Sequence, residues 1–288
     1  MKNGIFLSVT LISIINGAEL QYGHGTIDIK SGFFGLDATV SDDINTYSLV
    51  ENHSNLFGTN FFYGYTFTIF DSKTIKQGQK DINSGIDHVN SFFKSANGYM
   101  TIPALEYTMQ GFDGGVTLGY DLIHQSENDY FGIGLYGGAS APYIKSKKSL
   151  SKTVKVNMKM ADYFKESKTE LLTYKLGVGV YGQKRVSDFL AIYGNAIYAY
   201  QTGTIKNKFA KTDLDIDGSY LEFNSGLKLK AFNNSALSGL YGTIGWRYRN
   251  WNVDNASINI SGIGGVKTPK SDMEFSSNAL TVGVGYSF

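Results

Sequence analysis

The sequence contains no cysteine and has only three prolines among 288 residues. The absence of cysteine excludes disulfide bonds as a source of stability. No apolar run after residue 18 is long enough for a transmembrane helix. The chain is instead rich in Gly (34), Tyr (20) and Phe (19), a composition that favours many strands and tight turns.

The N-terminal residues have the pattern of a secretory signal. Lys2 precedes an apolar run over residues 5 to 15, and the small residues Gly17 and Ala18 follow. We therefore expect residues 1–18 to be a signal peptide and residues 19–288 to form one domain. Removing Lys2 changes 26 basic residues to 25, which equals the 25 acidic ones. This balance gives no reason to expect nucleic acid as a partner.

Apolar and polar residues alternate with a period of two along most of the chain, as in strands with one face in lipid and one in a lumen. The alternation predicts ten strands, although the Asp-rich N-terminal pair leaves eight or twelve open. The expected fold is all-β, a closed antiparallel up-and-down transmembrane β-barrel. The strands are predicted near residues 19–30, 35–53, 58–71, 99–123, 129–144, 168–182, 187–203, 216–231, 238–252 and 273–288.

The last strand carries the most specific pattern. Its alternating apolar residues and terminal aromatic are Leu280, Val282, Val284, Tyr286 and Phe288. This ending resembles the C-terminal strand of Gram-negative outer-membrane β-barrel proteins, including small porin-like ones. The resemblance covers about ten residues, and it implies location in the outer membrane and recognition by the barrel-assembly machinery. A soluble β-sandwich, which also alternates, is the competing interpretation.

Charged residues on the predicted inner face are expected to meet inside the barrel. They are Asp121, Lys175, Glu222, Lys228, Lys230, Arg247 and Arg249. Hairpin counting predicts that Glu222 lies opposite Arg247 and that Lys175 lies near Asn195. The charges could line a selective channel, but in a barrel of eight to ten strands a plug of polar side chains is favoured. Aromatic residues near strand ends, including Trp246 and Trp251, are predicted to form interfacial girdles.

The predicted outer loops offer two features. A lysine-rich segment could contact lipopolysaccharide phosphates through Lys145, Lys147, Lys148, Lys152, Lys155 and Lys159. Residues 82–93 have helical spacing and contain His88 beside Asp87, while His24, His53 and His124 are expected toward the periplasmic side.

No catalytic, metal or cofactor motif is evident in the sequence. A structural or surface-interaction barrel that is not an enzyme, with an unknown surface ligand, is therefore favoured. A narrow channel comes next, and an outer-leaflet enzyme is the least favoured alternative.

Overall fold

The computed structural model describes residues 18–33, 36–54, 56–77, 80–81, 101–102, 105–123, 129–149, 168–207, 212–230, 239–260, 264–267 and 272–286. Nearly all of these residues lie in strands. None of the helices in this part of the chain has the length and apolar character needed to cross a bilayer.

Ten long strands build the structure. They are β1 (Glu19–Phe33), β2 (Leu36–His53), β3 (Phe61–Ser72), β4 (Leu105–Asp121), β5 (Tyr130–Ser140), β6 (Lys168–Arg185), β7 (Leu190–Asn207), β8 (Thr212–Lys230), β9 (Leu240–Ile260) and β10 (Asp272–Tyr286). Short strands and one 3-10 helix accompany them: Ile75–Gln77, Lys80–Asp81, Thr101–Ile102, Tyr143–Ser149, Gly264–Lys267 and the helix Leu56–Gly58.

Each long strand pairs antiparallel with its neighbours in sequence, and β10 pairs with β1, so that hydrogen bonding closes a ring of ten strands. In the closing pair, Glu19 lies opposite Gly285 and Lys30 opposite Glu274. Closure leaves no sheet edge in hydrocarbon, where unpaired backbone groups would cost several kcal/mol each. The predicted ten-stranded antiparallel barrel is confirmed, including its N-terminal pair.

The ladder registers define the tilt of the strands. A row of paired residues leads from Trp246 to Gln110 on β4 in one direction, through Leu280, His24, Asn45 and Asp71. In the other direction it reaches Leu122 through Ser225, Gly194, Gly182 and Phe131. The two ends of the row, Gln110 and Leu122, belong to the same part of the chain, and their separation of twelve residues is the stagger of the barrel. With spacings of about 3.3 Å along and 4.8 Å between strands, it gives a tilt of about 40°, typical of outer-membrane barrels.

The polarity of each face changes along the strands, as β10 illustrates. Its outward side chains are apolar in one half, Leu280, Val282 and Val284, and polar in the other, Asn278, Ser276 and Glu274. Its inward side chains change in the opposite sense. Thr281 and Ser277 are polar and buried, whereas Phe275, nearer the end with the polar outer face, is apolar and buried. Around the ring, the outward apolar residues occupy a belt about 25 Å tall, which matches the hydrocarbon band of such barrels.

The strands extend beyond this belt at the end with the long connections, which we assign as extracellular because periplasmic turns are short. There the outer face is polar and the interior is an apolar core. Residues of this core include Ile27, Ile29, Ile44, Phe70, Met109, Leu171, Ile205, Ile216, Trp251, Val253 and Phe275. Burial of these side chains stabilises the barrel above the membrane in the way that it stabilises a soluble protein.

One wall of the barrel is thin because its inward-facing positions are glycines. On β4, β5 and β6 these include Gly115, Gly119, Gly132, Gly138 and Gly179, and the rings of Phe62, Tyr136 and Tyr181 lie against them. The outer surface of this wall is concave, with an apolar groove of ≈ 740 Å³ that crosses β3 to β8. The groove lies within the belt, so it faces lipid.

Several predicted details were wrong. The strand predicted over residues 129–144 ends at Ser140, and a second short strand begins at Tyr143. His24 does not lie toward the periplasmic side, because it faces outward within the belt opposite Leu280. Trp251 is not a girdle residue: it is 2% exposed and packs in the apolar core above the belt. The predicted helix over residues 82–93, with Asp87 and His88, lies outside the described residues.

Candidate functional site

Inside the belt, five charged side chains from four strands form one buried cluster, which we call the ion-pair layer. Its members are Asp113 (β4), Lys175 (β6), Glu222 (β8), Arg247 and Arg249 (β9), each at most 4% exposed. All five point inward because they share the inward phase of the strand alternation. The layer has three cations and two anions, and polar side chains of other strands surround it.

Arg249 connects opposite walls of the barrel. Its Nε lies 3.4 Å from Asp113 Oδ2 and 3.3 Å from Glu222 Oε2, and its Nη2 donates to Thr68 Oγ1 at 2.8 Å. The ammonium of Lys175 donates a hydrogen bond to Asp113 and lies 3.6 Å from the centre of the Tyr220 ring. Charge pairing of this kind offsets the cost of removing the ions from water.

Arg247 extends the network to β1 and β2, on the other side of the closing pair of β10 with β1, which we call the seam. Its Nη1 donates to Ser48 Oγ at 2.9 Å and its Nη2 to Gln21 Oε1 at 2.7 Å. Its Nε is 3.9 Å from Glu222 Oε1. The two arginines of β9 therefore contact residues of β1, β2, β3, β4 and β8 and fill the lumen at this level.

The layers above and below leave little space. Above the ion-pair layer, Trp251 packs against Tyr220 and Phe70, with ring centroids 5.6 and 6.4 Å away. Below it, two cavities in the described interior measure ≈ 40 and ≈ 20 Å³, room for one or two water molecules each. The larger of these two is lined by polar residues that include Glu19, Gln21, Asn224, Lys228 and Tyr241.

The predicted lumen charges lie at different levels. Lys175, Glu222, Arg247 and Arg249 belong to the ion-pair layer, whereas Asp121 accepts the backbone N–H groups of Ile123 and Phe131 at the periplasmic turn. Lys228 lies lower in the barrel, 3.8 Å from the centre of the Tyr241 ring. Lys230 is half-buried and ends β8 at the periplasmic mouth.

Both predicted pairings were out of register, although the predicted approach of Glu222 and Arg247 is present as an ion pair of 3.9 Å. Glu222 lies opposite Arg249, and Arg247 lies opposite Asn224. Lys175 lies opposite Gln201, while Asn195 pairs with Tyr181. The β6 strand continues to Arg185, past its predicted end at residue 182, so the turn lies later in the chain and every pair of the hairpin is shifted.

Asp113, which accepts from Lys175 and faces Arg249, was missed in the sequence. The inward phase that includes Thr117 and Asp121 reaches Asp113 when it is followed four residues further. The alternation was interrupted there by Gly114 and Gly115, which have no side chain to mark a face. The phase of the strand was therefore the signal that could have found this carboxylate.

A second group of charges lies on the outer face of the extracellular rim. Lys145 is exposed and pairs in register with Lys168, and Lys206 pairs with Glu170. The Nζ of Lys168 is 3.1 Å from Glu170 Oε2 and 4.2 Å from the centre of the Tyr143 ring. Lys147 and Lys148 lie in the same short strand as Lys145, whereas Lys152, Lys155 and Lys159 lie outside the described residues.

Farther round the rim, Lys73 follows β3 and pairs with Asp43, with 2.7 Å between Nζ and Oδ2. The hydrogen bond from Lys73 to the Asp43 carboxylate raises the pKa of the lysine, which stays charged at neutral pH.

The predicted assembly residues lie at the seam of the barrel. Leu280, Val282 and Val284 are exposed on the lipid-facing side of β10, and Tyr286 is the last residue of the strand. Phe288 lies outside the described residues. No group of three or more carboxylate and imidazole side chains suited to a metal ion occurs in the described part of the chain.

Comparison with known proteins identifies the architecture. The outer-membrane protease OmpT from Escherichia coli superposes over 95% of this chain and 97% of its own, with a TM-score of 0.54 and 10% identity. The chain has the fold of an outer-membrane β-barrel. This fold and the apolar belt place it in the outer membrane of a Gram-negative cell.

More distant structures are barrels of different roles. The translocator domain of the autotransporter NalP from Neisseria meningitidis has a TM-score of 0.36 and 13% identity, with 99% of this chain and 96% of that chain covered. The toluene transporter TodX from P. putida has a TM-score of 0.33 and 10% identity, with 94% and 89% covered. No protein-family model and no curated protein matches the sequence. At these identities only the fold of the outer-membrane barrel carries over.

Proposed function

We propose that this outer-membrane barrel is a non-conducting, non-enzymatic scaffold whose extracellular surface carries its function. One observation carries the proposal: Arg249 forms an ion pair with Asp113 across the lumen, and the apolar core lies directly above this contact. A hydrated ion entering from outside would have to displace close-packed apolar side chains and then separate buried ion pairs. Both steps cost several kcal/mol.

Conductance in planar bilayers tests this proposal. The refolded barrel, shown to be inserted by its heat-modifiable mobility, is expected to give no unitary currents under conditions in which a general porin conducts. Steady currents that change in an Arg249→Ala variant would contradict the proposal and favour a narrow channel.

We further propose that the lysines of the extracellular rim contact lipopolysaccharide phosphates. Lys145, Lys168 and Lys206 share the outer face above the belt, where the anionic head groups of the outer leaflet lie, and ammonium groups bind phosphate through charge-assisted hydrogen bonds. Glu170 bonds Lys168 but leaves Lys145 exposed to solvent.

Binding of purified lipopolysaccharide to the refolded barrel tests this contact. The double variant Lys145→Gln, Lys168→Gln is expected to bind several-fold more weakly and with a smaller dependence on salt. Lys184→Gln is the matched control, since Lys184 is exposed at the periplasmic end of β6, the strand that begins with Lys168. Equal losses in both variants would contradict the proposal.

We also infer that the outward residues of β10, together with Phe288 two residues after the strand, are recognised by the barrel-assembly machinery. The exposed Leu280, Val282 and Val284 lie on β10, the last of the ten long strands in chain order. Its pairing with β1 closes the ring. Assembly by the purified machinery in proteoliposomes is expected to slow several-fold in a Phe288→Ala variant and to stay unchanged in Ser287→Ala. Unchanged assembly in both variants would contradict this inference.

A further inference from the structure

Glu51 is an acidic residue on the lipid-facing side of the barrel. It belongs to β2, on which Tyr47, Leu49 and His53 share the outward phase while Ser48 and Val50 are buried inside. From the registers and a tilt of about 40°, each residue rises by about 2.5 Å along the barrel axis. Glu51 then lies about 8 Å inside the periplasmic edge of the belt and about 4 Å from its middle.

Among the described residues, no other strand presents a carboxylate, ammonium, guanidinium or imidazole group outward at this height. The nearest outward residues on the nine other strands are Leu20, Tyr65, Leu118, Ile133, Val180, Gly194, Leu227, Ile244 and Val284. A charged side chain in hydrocarbon is unfavourable, and ionisable residues in this region usually face protein or water instead of lipid. Glu51 therefore marks a part of the wall that is not adapted to lipid.

The surroundings of Glu51 supply neutral donors but no cation. The Tyr63 hydroxyl donates a hydrogen bond to its carboxylate, and Tyr65 also bonds it. Among the described residues Glu51 has no salt bridge. His53, two residues along the same face, packs on Tyr63 with ring centroids 5.6 Å apart and is exposed. An acceptor and a donor thus lie next to each other on one outer surface.

The same wall is polar farther up. His24 Nδ1 lies 2.9 Å from Asn45 Oδ1, and the Tyr22 hydroxyl donates to the same oxygen at 2.9 Å. His24 is within the extracellular part of the belt. The outer face of β1 to β3 therefore carries two polar groups, whereas the face of β4 to β7 at the same heights is apolar, apart from tyrosine hydroxyls.

We propose that the outer face of β1 to β3 is the interface with a second copy of this barrel. In a two-fold dimer with its axis along the membrane normal, each surface meets its own image, so the face must be self-complementary. Glu51 and His53 meet this condition, because the carboxylate of one protomer can accept from the imidazole of its partner while the reciprocal contact forms beside it. The pairing would remove Glu51 from lipid.

Cysteine crosslinking in the outer membrane tests the proposal, because the chain has no native cysteine. Leu49→Cys places a thiol on the outer face of β2, and Leu135→Cys places one on β5 at nearly the same height. Oxidation is expected to give a covalent dimer with Leu49→Cys and at least tenfold less with Leu135→Cys. Adding Glu51→Leu to Leu49→Cys is expected to reduce the dimer at least fivefold without loss of heat-modifiable mobility.

Two outcomes would overturn the proposal. Equal crosslinking on both walls would show random collisions. Absence of crosslinks at Leu49, together with the mass of a single chain in lipid nanodiscs, would show that lipid or another protein covers Glu51. Neither result depends on whether the lumen conducts, so the dimer and the proposed function fail independently.

Discussion

Arg249 on β9 and Asp113 on β4 lie five strands apart in a ring of ten, on opposite walls, yet Nε and Oδ2 are 3.4 Å apart. This contact ties together walls that no hydrogen-bonded ladder joins. It is possible because both side chains point inward at the same height, in a barrel narrow enough for one long side chain to cross.

The cross-lumen ion pair should contribute strongly to stability. Arg249→Ala leaves Asp113 and Glu222 without one of their cations, and we expect the free energy of unfolding to fall by about 3–5 kcal/mol. Denaturant unfolding in lipid vesicles measures it.

A double-mutant cycle isolates the interaction energy of the two side chains from the other effects of each substitution. The double variant Arg249→Ala, Asp113→Asn should lose much less free energy of unfolding than the sum of the losses in the two single variants, because the two sites interact directly. Lys230→Gln, at the periplasmic mouth, serves as a control with an expected change within about 0.5 kcal/mol. Additive losses at Arg249 and Asp113 would mean that they do not interact.

The two tryptophans should report opposite environments. Trp246 faces lipid and Trp251 lies in the apolar core above the belt. In vesicles with brominated acyl chains, the Trp251→Phe variant, which retains Trp246, should lose most of its fluorescence. The Trp246→Phe variant should lose little. Strong quenching of Trp251 would place it at the membrane interface, as the sequence had predicted.

Glycines at close backbone contacts should not tolerate a methyl group. A Cβ at Gly25 would lie 1.8 Å from the backbone oxygen of Asn278, whereas a Cβ at Gly137 would meet nothing within 4 Å. We expect Gly25→Ala to lower the free energy of unfolding by roughly 1–3 kcal/mol, because the ladder must shift. Gly137→Ala should be neutral, and similar effects at both sites would contradict the close approach of β1 and β10.

The belt predicts where a charge is tolerated on the outer face. Leu135→Lys, near the middle of the belt, should lower the free energy of unfolding in lipid vesicles by about 2–4 kcal/mol. Ser276→Lys, outward on β10 above the belt, should change it by less than about 0.5 kcal/mol. A large loss at Ser276 would mean that the membrane reaches higher on this wall.

The alternation of residues on β3, β8, β9 and β10 was sufficient to predict strands, because a period of two is a local property of the chain. It led to a count of ten that left eight or twelve open, and closure followed from the cost of unpaired backbone groups in hydrocarbon. The same alternation selected Lys175, Glu222, Arg247 and Arg249 as inward-facing. It did not identify their partners, because a shift of one or two residues in a turn, as between β8 and β9, moves every pair in the hairpin.

The sequence by itself determined that this chain alternates, that it closes as a barrel, and which side chains share a face. Only the tertiary structure decided which face is apolar at which height, because that depends on where each strand leaves the membrane. Trp251 is inward for the same reason as Arg249, two residues before it, but lies above the belt, where the interior is apolar. Contacts such as Arg249 with Asp113 or Glu51 with Tyr63 also required the folded ring, since the strand order and stagger set them.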